Sequence, residues 1–109
     1  MKGSTSPKEA IDMVRESEPD CILSDFNMPE MNGIEFTRRL REHSKIPIIM
    51  YSNVSDEGVT CEAFDAGVDD FVVKQDNSTD PEHYIVLMKR IKNVVDGYRV
   101  KKQYLATAR

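Results

Sequence analysis

Three residues that together could handle an anion each follow a short apolar run. Asp25 comes after CILS, Ser52 after IPIIMY, and Lys74 after FVV. The carboxylate could act as a nucleophile toward a phosphoryl group, the ammonium could neutralise phosphoryl oxygens, and the hydroxyl could donate a hydrogen bond to one of them. Each alone has an ordinary explanation, because Asp and Ser often begin loops and Lys is common on surfaces. Their succession at three apolar runs favours a shared site.

The elements that carry these residues alternate along the chain. The apolar runs predict strands, and the segments between them predict helices. The helix signals are a capping box from Ser6 to Glu9, Asn32-Gly33, Ser55-Asp56-Glu57 with a stop at Gly67, and Asp80-Pro81. This alternation predicts a parallel sheet covered on both sides, whose ligand site lies beyond the carboxyl ends of the strands. We therefore expect Asp25, Ser52 and Lys74 on one rim.

Helical spacing predicts which side chains are buried. Ile34, Phe36 and Leu40 form one apolar face, with Arg38, Arg39 and Arg41 outward. The last helix carries a seam whose first half is expected to pack on the sheet: Tyr84, Met88, Ile91, Val95, Tyr98 and Leu105. Gly97 interrupts this helix, so we expect a domain over residues 1–97 and a helical tail over residues 98–109. His43 and His83 are expected on the surface, with no role as phosphodonors.

Composition limits the class of protein. The 109 residues are 39% hydrophobic and 31% charged, which suits one globular domain. No apolar stretch approaches the roughly 18 residues of a membrane span, and the N-terminus lacks the apolar core of a signal peptide. Cys21 and Cys61 are expected to be reduced, which favours a cytoplasmic protein. The basic segment from Lys89 onward is typical of a solvated helix face, and we do not expect it to bind nucleic acid.

The segments DFNMPEMNGIE, PIIMYS and AGVDDFVVK, in this order of elements, resemble the receiver domain of two-component response regulators. The resemblance runs from Ser6 to about Gly97. It implies a flavodoxin-like α/β fold, a three-layer sandwich, here shortened to about three parallel strands and four helices. The loop QDNSTDP after Lys74 replaces the usual Lys-Pro and is similar to receivers in archaeal sensory proteins.

The resemblance assigns roles to residues of this chain. It implies that Asp25 accepts a phosphoryl group from a histidine kinase and that Lys74 contacts that group. It also implies that the Ser52 hydroxyl moves with the phosphoryl group when the domain changes conformation. Phe71 matches the aromatic switch residue, and the backbone carbonyl of Asn27 matches a Mg²⁺ ligand beside Asp25. Pro29 and Gly33 match the turn around the site.

Part of the family pattern is absent from this sequence. A strand-helix-strand unit of roughly 30 residues precedes the matching region in receivers, and it carries the acidic pair that supplies most Mg²⁺ ligands. The metal set of Asp25 and Asn27 is therefore incomplete, because Mg²⁺ requires near-octahedral oxygen ligation. Asp69 and Asp70 are not a replacement, since they precede their strand and belong to the opposite end of the sheet.

The same absence predicts self-association. Without a neighbour, the strand ending at Asp25 would have an open edge, and the sheet face once covered by the lost helix would be bare. A two-fold homodimer would bury both surfaces.

Two functions follow as hypotheses. One is a signalling receiver phosphorylated on Asp25; because no output domain follows in the sequence, we expect it to act through protein contacts rather than as an enzyme. The alternative is a degenerate receiver without phosphotransfer that serves as an interaction or dimerisation module. A haloacid-type phosphohydrolase is set aside because Asn27 stands where that class has a second Asp.

Overall fold

The fold is described by a computed structural model for residues 7–27, 31–53, 57–74 and 81–107, with side chains for those between 8 and 102. The elements are α1 (Pro7–Glu16), β1 (Ile22–Ser24), α2 (Gly33–Arg41), β2 (Ile48–Ser52), α3 (Glu57–Ala66), β3 (Asp70–Val73) and α4 (Pro81–Thr107). The predicted order of four helices and three strands is confirmed. Several predicted features lie outside the described residues: the Ser6 cap, the Pro29 turn, Ser55 and Asp56, the loop over residues 75–80 with its Asp80 cap, and the Leu105 side chain.

The three strands form one parallel sheet in the order β1-β2-β3. Ile22 pairs with Ile48 at one junction, and Ile49 pairs with Asp70 at the other. The strand bounds differ slightly from the apolar runs: Cys21, Asp25 and Lys74 lie just outside the ladder, and β3 begins one residue before its run, at Asp70. Within the described residues β1 pairs with β2 alone, so the predicted open edge is confirmed.

Two apolar clusters cover the two faces of the sheet. One cluster joins the sheet to α1, α2 and α3 through buried residues that include Ile34, Phe36, Leu40, Ile48 and Met50. The other joins it to α4 through Cys21, Ile49, Val72 and Leu87. Ile48, Ile49 and Met50 are fully buried although they are consecutive, which explains why the run shows no alternation of polar and apolar residues.

The ends of α2 and α3 are set by local hydrogen bonds. The Asn32 side chain accepts a hydrogen bond from the Glu35 N–H at 2.8 Å, which caps α2 as its sequence predicts. Gly67 follows α3 with φ +116°. The N–H groups of Gly67 and Val68 donate to the carbonyls of Phe64 (3.0 Å) and Ala63 (3.2 Å) respectively. This is the Schellman pattern, and it confirms Gly67 as the stop signal.

Arg41 is turned inward, so the prediction that it faces solvent is wrong. Its guanidinium donates to the carbonyls of Gly67, at 2.8 and 2.9 Å, and Ile46, at 2.6 Å. It also lies 3.0 Å from Asp69 Oδ2, and the same oxygen accepts the Ile48 N–H at 2.8 Å. The flanking Arg38 and Arg39 are exposed as expected. Helical spacing could not reveal this network, because the acceptors lie beyond the end of α2, in the turn before β2 and in the distant segment at Gly67.

Only part of the predicted seam of α4 meets the sheet: Ile91 and Val95 pack there as predicted, whereas Tyr84 and Met88 do not. Leu87 is buried, with Ile91, Val94 and Val95 packed beside it. Tyr84 and Met88 are 63% and 48% exposed, so their predicted contact with the sheet is wrong. The sheet face beneath α4 is not bare, because Ile49 and Val72 are 0% and 8% exposed. Of the two exposed surfaces that the sequence predicts, the structure therefore shows the edge of β1 but not the bare sheet face.

The far half of α4 reaches the segment that precedes β1. The Tyr98 hydroxyl donates to Glu18 Oε1 at 3.3 Å, and Arg99 lies 3.5 Å from Asp20. The helix continues through Gly97 without a break. The proposed division of the chain at residue 97 stays a prediction.

Candidate functional site

The carboxyl ends of the three strands bring Asp25, Ser52 and Lys74 together. Lys74 Nζ lies 2.9 Å from Asp25 Oδ2 and donates a hydrogen bond to it. The Ser52 hydroxyl also hydrogen-bonds the Asp25 carboxylate. Ser52 is buried, whereas the Asp25 and Lys74 side chains are 37% and 34% exposed. The site is therefore a small polar rim with a buried hydroxyl at its base and a carboxylate that solvent reaches.

Asp25 is held in place by the turn that follows it. The Asn27 N–H donates to Asp25 Oδ1 at 3.2 Å, and the Gly33 N–H donates to the Phe26 carbonyl at 2.7 Å. A Cβ on Gly33 would collide with the backbone oxygen of Asp25 and lie 3.1 Å from the Met50 side chain. Glycine is required here for close approach of the backbone, as the resemblance implied.

Lys74 is fixed through its backbone as well as its ammonium. Its N–H donates to the Ser52 carbonyl at 2.9 Å, which extends the β2–β3 ladder by one bond. The side chain therefore starts from an ordered position at the strand end. Its reach to Asp25 crosses the end of the central strand.

The electrostatics of the rim favour an ionised carboxylate. Partial burial by itself raises the pKa of Asp25. Hydrogen bonds from the Lys74 ammonium, the Asn27 N–H and the Ser52 hydroxyl outweigh this, together with the charge of Lys74, and the net pKa is lowered from 3.8. Asp25 is thus a carboxylate at neutral pH.

Two further residues border the site that the sequence did not identify. The Tyr51 hydroxyl and His83 Nε2 lie 2.9 Å apart, and their rings stack with centroids 5.9 Å apart. Lys74 Nζ lies 5.4 Å from the centre of the Tyr51 ring. His83 is partly buried, so its predicted surface position is wrong, whereas His43 is exposed as expected. The signal available was the apolar run itself, in which Tyr51 is the only residue with a polar group.

Phe71 belongs to the opposite face of the sheet. It pairs with Met50 and packs, partly buried, against the cluster under α2 and α3. Its assignment as the switch aromatic stays a prediction, as do the switch role of Ser52 and the use of the Asn27 carbonyl as a ligand.

Among the residues that the structure describes, the donors at this rim do not fit a Mg²⁺ ion. Within the described ranges, no group of three or more His, Cys, Asp or Glu side chains is arranged to hold a metal. In the described part of the rim the carboxylate is that of Asp25, and it is paired with Lys74. Asp69 and Asp70 lie at the amino end of the sheet, opposite Asp25 as predicted, and Arg41 and Arg90 pair with them.

Comparison with known proteins gives the same fold and family. A family model described as the response regulator receiver domain matches residues 2–85. The transcriptional regulatory protein SrrA of Staphylococcus aureus is 39% identical over 71 residues, which are 65% of this chain and 30% of that protein. The chain thus spans about a third of the length of this curated relative. In the described residues, no helix is long and apolar enough to cross a membrane.

Two solved structures illustrate the structural match. The response regulator domain of Thermotoga maritima CheB gives a TM-score of 0.69 at 30% identity, covering 84% of this chain and 72% of that one. The signal receiver domain of a histidine kinase from Syntrophus aciditrophicus also gives 0.69, at 27% identity, covering 88% and 70%. With the matched family model, the parallel three-stranded sheet and the polar rim, this chain belongs to the response regulator receiver domains of two-component signalling.

Proposed function

We propose that this protein accepts a phosphoryl group on Asp25 from the phosphohistidine of a histidine kinase and signals through contacts with other proteins. The observation that carries the proposal is the Lys74–Asp25 contact of 2.9 Å, with the Ser52 hydroxyl on the same carboxylate. These residues supply a nucleophile, a cation and a hydrogen-bond donor within one hydrogen-bonded group.

The reaction is a displacement at phosphorus. A carboxylate oxygen of Asp25 forms a new P–O bond while the P–N bond of the phosphohistidine breaks. The electron pair of that bond stays on the ring nitrogen, and the kinase histidine leaves as neutral imidazole when its other nitrogen carries a proton. The product is an aspartyl phosphate. The lowered pKa of Asp25 means that no proton has to be removed first.

Lys74 and Ser52 have separate parts in this step. The ammonium faces the phosphoryl oxygens, where negative charge accumulates, and a single lysine acts there as a point charge. The Ser52 hydroxyl donates to one phosphoryl oxygen after transfer. Ser52 and Phe71 then carry the change to the protein surface, where a downstream protein reads it.

The test is incubation with a small phosphodonor, acetyl phosphate, with and without Mg²⁺, followed by intact mass spectrometry. We expect wild type to gain the mass of one phosphoryl group and Asp25→Asn to gain none. Asp65→Asn is the matched control, because Asp65 is an exposed carboxylate on α3. Failure of wild type to react under both conditions, or equal mass gain in Asp25→Asn, would contradict the proposal.

We also propose that the chain forms a two-fold homodimer. Dimerisation is the function that would remain if the receiver had lost phosphotransfer. The observation is the edge of β1. The Ile22 N–H donates to Pro47 O at 2.9 Å, so by strand alternation the Leu23 N–H and C=O point away from β2. Such an edge pairs readily with another chain, and a two-fold axis would bring two copies of β1 together antiparallel.

Sedimentation velocity at micromolar concentration tests the dimer. Leu23→Pro removes the outward N–H, a change that an edge strand tolerates when that group faces solvent. Leu23→Ala is the control, because it shortens the same side chain and keeps the N–H. We expect wild type and Leu23→Ala to be dimers and Leu23→Pro to be a monomer. A folded, monomeric wild type would exclude the dimer.

A further inference from the structure

We propose that Tyr51 is a positioning residue for the Asp25–Lys74 pair and that His83, on α4, holds Tyr51 in place. The expected effect of Tyr51 on phosphoryl transfer rests on the proposed function, whereas the positioning of Lys74 by Tyr51 does not. The observations are the 5.4 Å approach of Lys74 Nζ to the Tyr51 ring and the 2.9 Å separation of the Tyr51 hydroxyl from His83 Nε2.

The register of the sheet places Tyr51 between the two partners. Leu23 pairs with Ile49, so Asp25, two residues on, stands beside Tyr51 at the end of β1. On the other side, Tyr51 pairs with Val72, and Lys74 follows two residues later. Residues two apart along a strand share a face. Asp25, Tyr51 and Lys74 therefore emerge on the face that α4 covers.

This placement explains the path of the lysine. β1 and β3 are separated by the full width of β2, about 10 Å. To reach Asp25, the Lys74 side chain must cross the end of β2, where the Tyr51 ring lies. An ammonium over the face of a tyrosine is attracted by the ring quadrupole, most strongly where water is partly excluded. With the Lys74 side chain 34% exposed, the ring supports the ammonium at a site that solvent only partly reaches.

His83 restricts the ring that supports the lysine. It lies in the first turn of α4 and contacts Tyr51 both through the hydroxyl and by stacking at an interplanar angle of 23°. Leu87, one turn later, is buried against the same sheet face and fixes this end of the helix. The chain of contacts runs from α4 through His83 and Tyr51 to Lys74 and Asp25.

The first experiment measures positioning in the unphosphorylated protein by NMR. Lysine protons above an aromatic ring are shifted upfield and show nuclear Overhauser contacts with it. We expect both signals between the Lys74 ε-methylene and the Tyr51 ring in wild type, and weaker signals in Tyr51→Phe and in His83→Leu. Tyr51→Phe keeps the ring and the packing, so loss of fold does not explain its effect. Tyr84→Leu, an exposed neighbour of His83, should match wild type.

The second experiment measures the initial rate of Asp25 phosphorylation by acetyl phosphate. Loss of a cation–π contact of this kind is expected to slow the reaction roughly two- to fivefold in Tyr51→Leu. The double variant Tyr51→Phe/His83→Leu should react no more slowly than the slower single variant, since both changes break the same tether.

The outcomes separate the two proposals. If Lys74 shows no ring-shifted signals in wild type, or keeps them unchanged in Tyr51→Phe and His83→Leu, the positioning role is wrong. If these signals change as expected but Asp25 accepts no phosphoryl group, the positioning role stands and the proposed function fails. Equal phosphorylation rates in wild type and Tyr51→Leu would overturn the consequence for phosphoryl transfer.

Discussion

In the described sheet, Asp25 receives a hydrogen bond from the carboxyl end of each strand or from the turn that follows it. Asn27 donates from the turn after β1, Ser52 from the end of β2 and Lys74 from the end of β3. Each donor stabilises the ionised carboxylate, so the folded protein binds a proton at this group less readily than the unfolded chain does. This difference links the stability of the fold to pH.

Replacing Lys74 by Met should weaken that link. The folded pKa of Asp25 is below the ordinary value of 3.8, so Asp25 stabilises the fold above about pH 4 and loses this contribution as pH falls through the folded value. We expect Lys74→Met to unfold more easily at neutral pH, by up to about 1 kcal/mol for a pair this exposed, and to lose less stability on acidification. Urea unfolding at about pH 7 and about pH 3 measures both effects.

Lys89→Met is the control, because Lys89 is exposed on α4 and carries the same charge. Its loss of stability between the two pH values should equal that of wild type. An identical pH dependence in wild type and Lys74→Met would show that the ion pair does not hold Asp25 ionised.

The positions of the rim residues could be predicted from the sequence, whereas the contact of Lys74 with the Tyr51 ring could not. Asp25, Ser52 and Lys74 each end an apolar run, and parallel strands bring their carboxyl ends to one edge. Tyr51 belongs to a run buried on both faces, so no alternation shows which side it takes. Its contact with His83 further depends on how α4 crosses the sheet, which no local pattern specifies.

At the scale of elements, Gly67 and Gly97 have opposite effects on their helices. Gly67 ends α3 with φ +116°, and Arg41 atoms lie 3.0–3.4 Å from where a Cβ would be. Gly97 lies inside α4, and nothing is within 4 Å of its Cβ position. The same substitution should therefore shift stability in opposite directions at the two sites.

Gly67→Ala should destabilise the protein by about 1–2 kcal/mol, because a side chain at this φ is strained against its own backbone. The midpoint of urea unfolding measures the change. A neutral result would mean that the end of α3 can rearrange without loss of the Schellman bonds.

Gly97→Ala should stabilise the protein by about 0.5–1 kcal/mol, since alanine reduces the freedom of the unfolded chain and meets no obstacle in the helix. Thermal unfolding followed by circular dichroism at the helix signal measures it. A lower melting temperature would show that α4 does not continue through residue 97 in solution, which would favour the predicted boundary there.

Element order and most helix bounds followed from capping and stop signals close in the sequence, such as Asn32 and Gly67. The buried side of α4 did not, because two overlapping stripes were available. Leu87 and Val94 belong to the stripe that packs, whereas Tyr84 and Met88 belong to the exposed one. Which stripe is buried depends on the tilt of the helix over the sheet.

At the scale of the whole molecule, Arg41 joins segments that are distant in sequence. It bonds the end of α3 through Gly67, the entry to β2 through Ile46 and the entry to β3 through Asp69. With only 19% of its side chain exposed, removal would leave carbonyls without a donor in a region that water reaches poorly.

Arg41→Met should therefore destabilise the fold by about 2–3 kcal/mol, a large effect for a helix-surface position. Urea unfolding measures it, and Arg38→Met, which changes an exposed neighbour on the same helix, should fall within about 0.5 kcal/mol of wild type. Equal effects of the two substitutions would show that the Arg41 bonds contribute nothing net.

Helix α4 contacts both ends of the sheet, so a tilt at one end would move the other. The helix touches the polar rim through His83 and the opposite end of the sheet through Tyr98 and Arg99. These contacts are 15 or 16 residues apart, which corresponds to roughly 23 Å of helix axis. A tilt of about 5° around His83 would move Arg99 by about 2 Å along such a rod. A change at the rim that tilts α4 would therefore also displace the contact between Arg99 and Asp20.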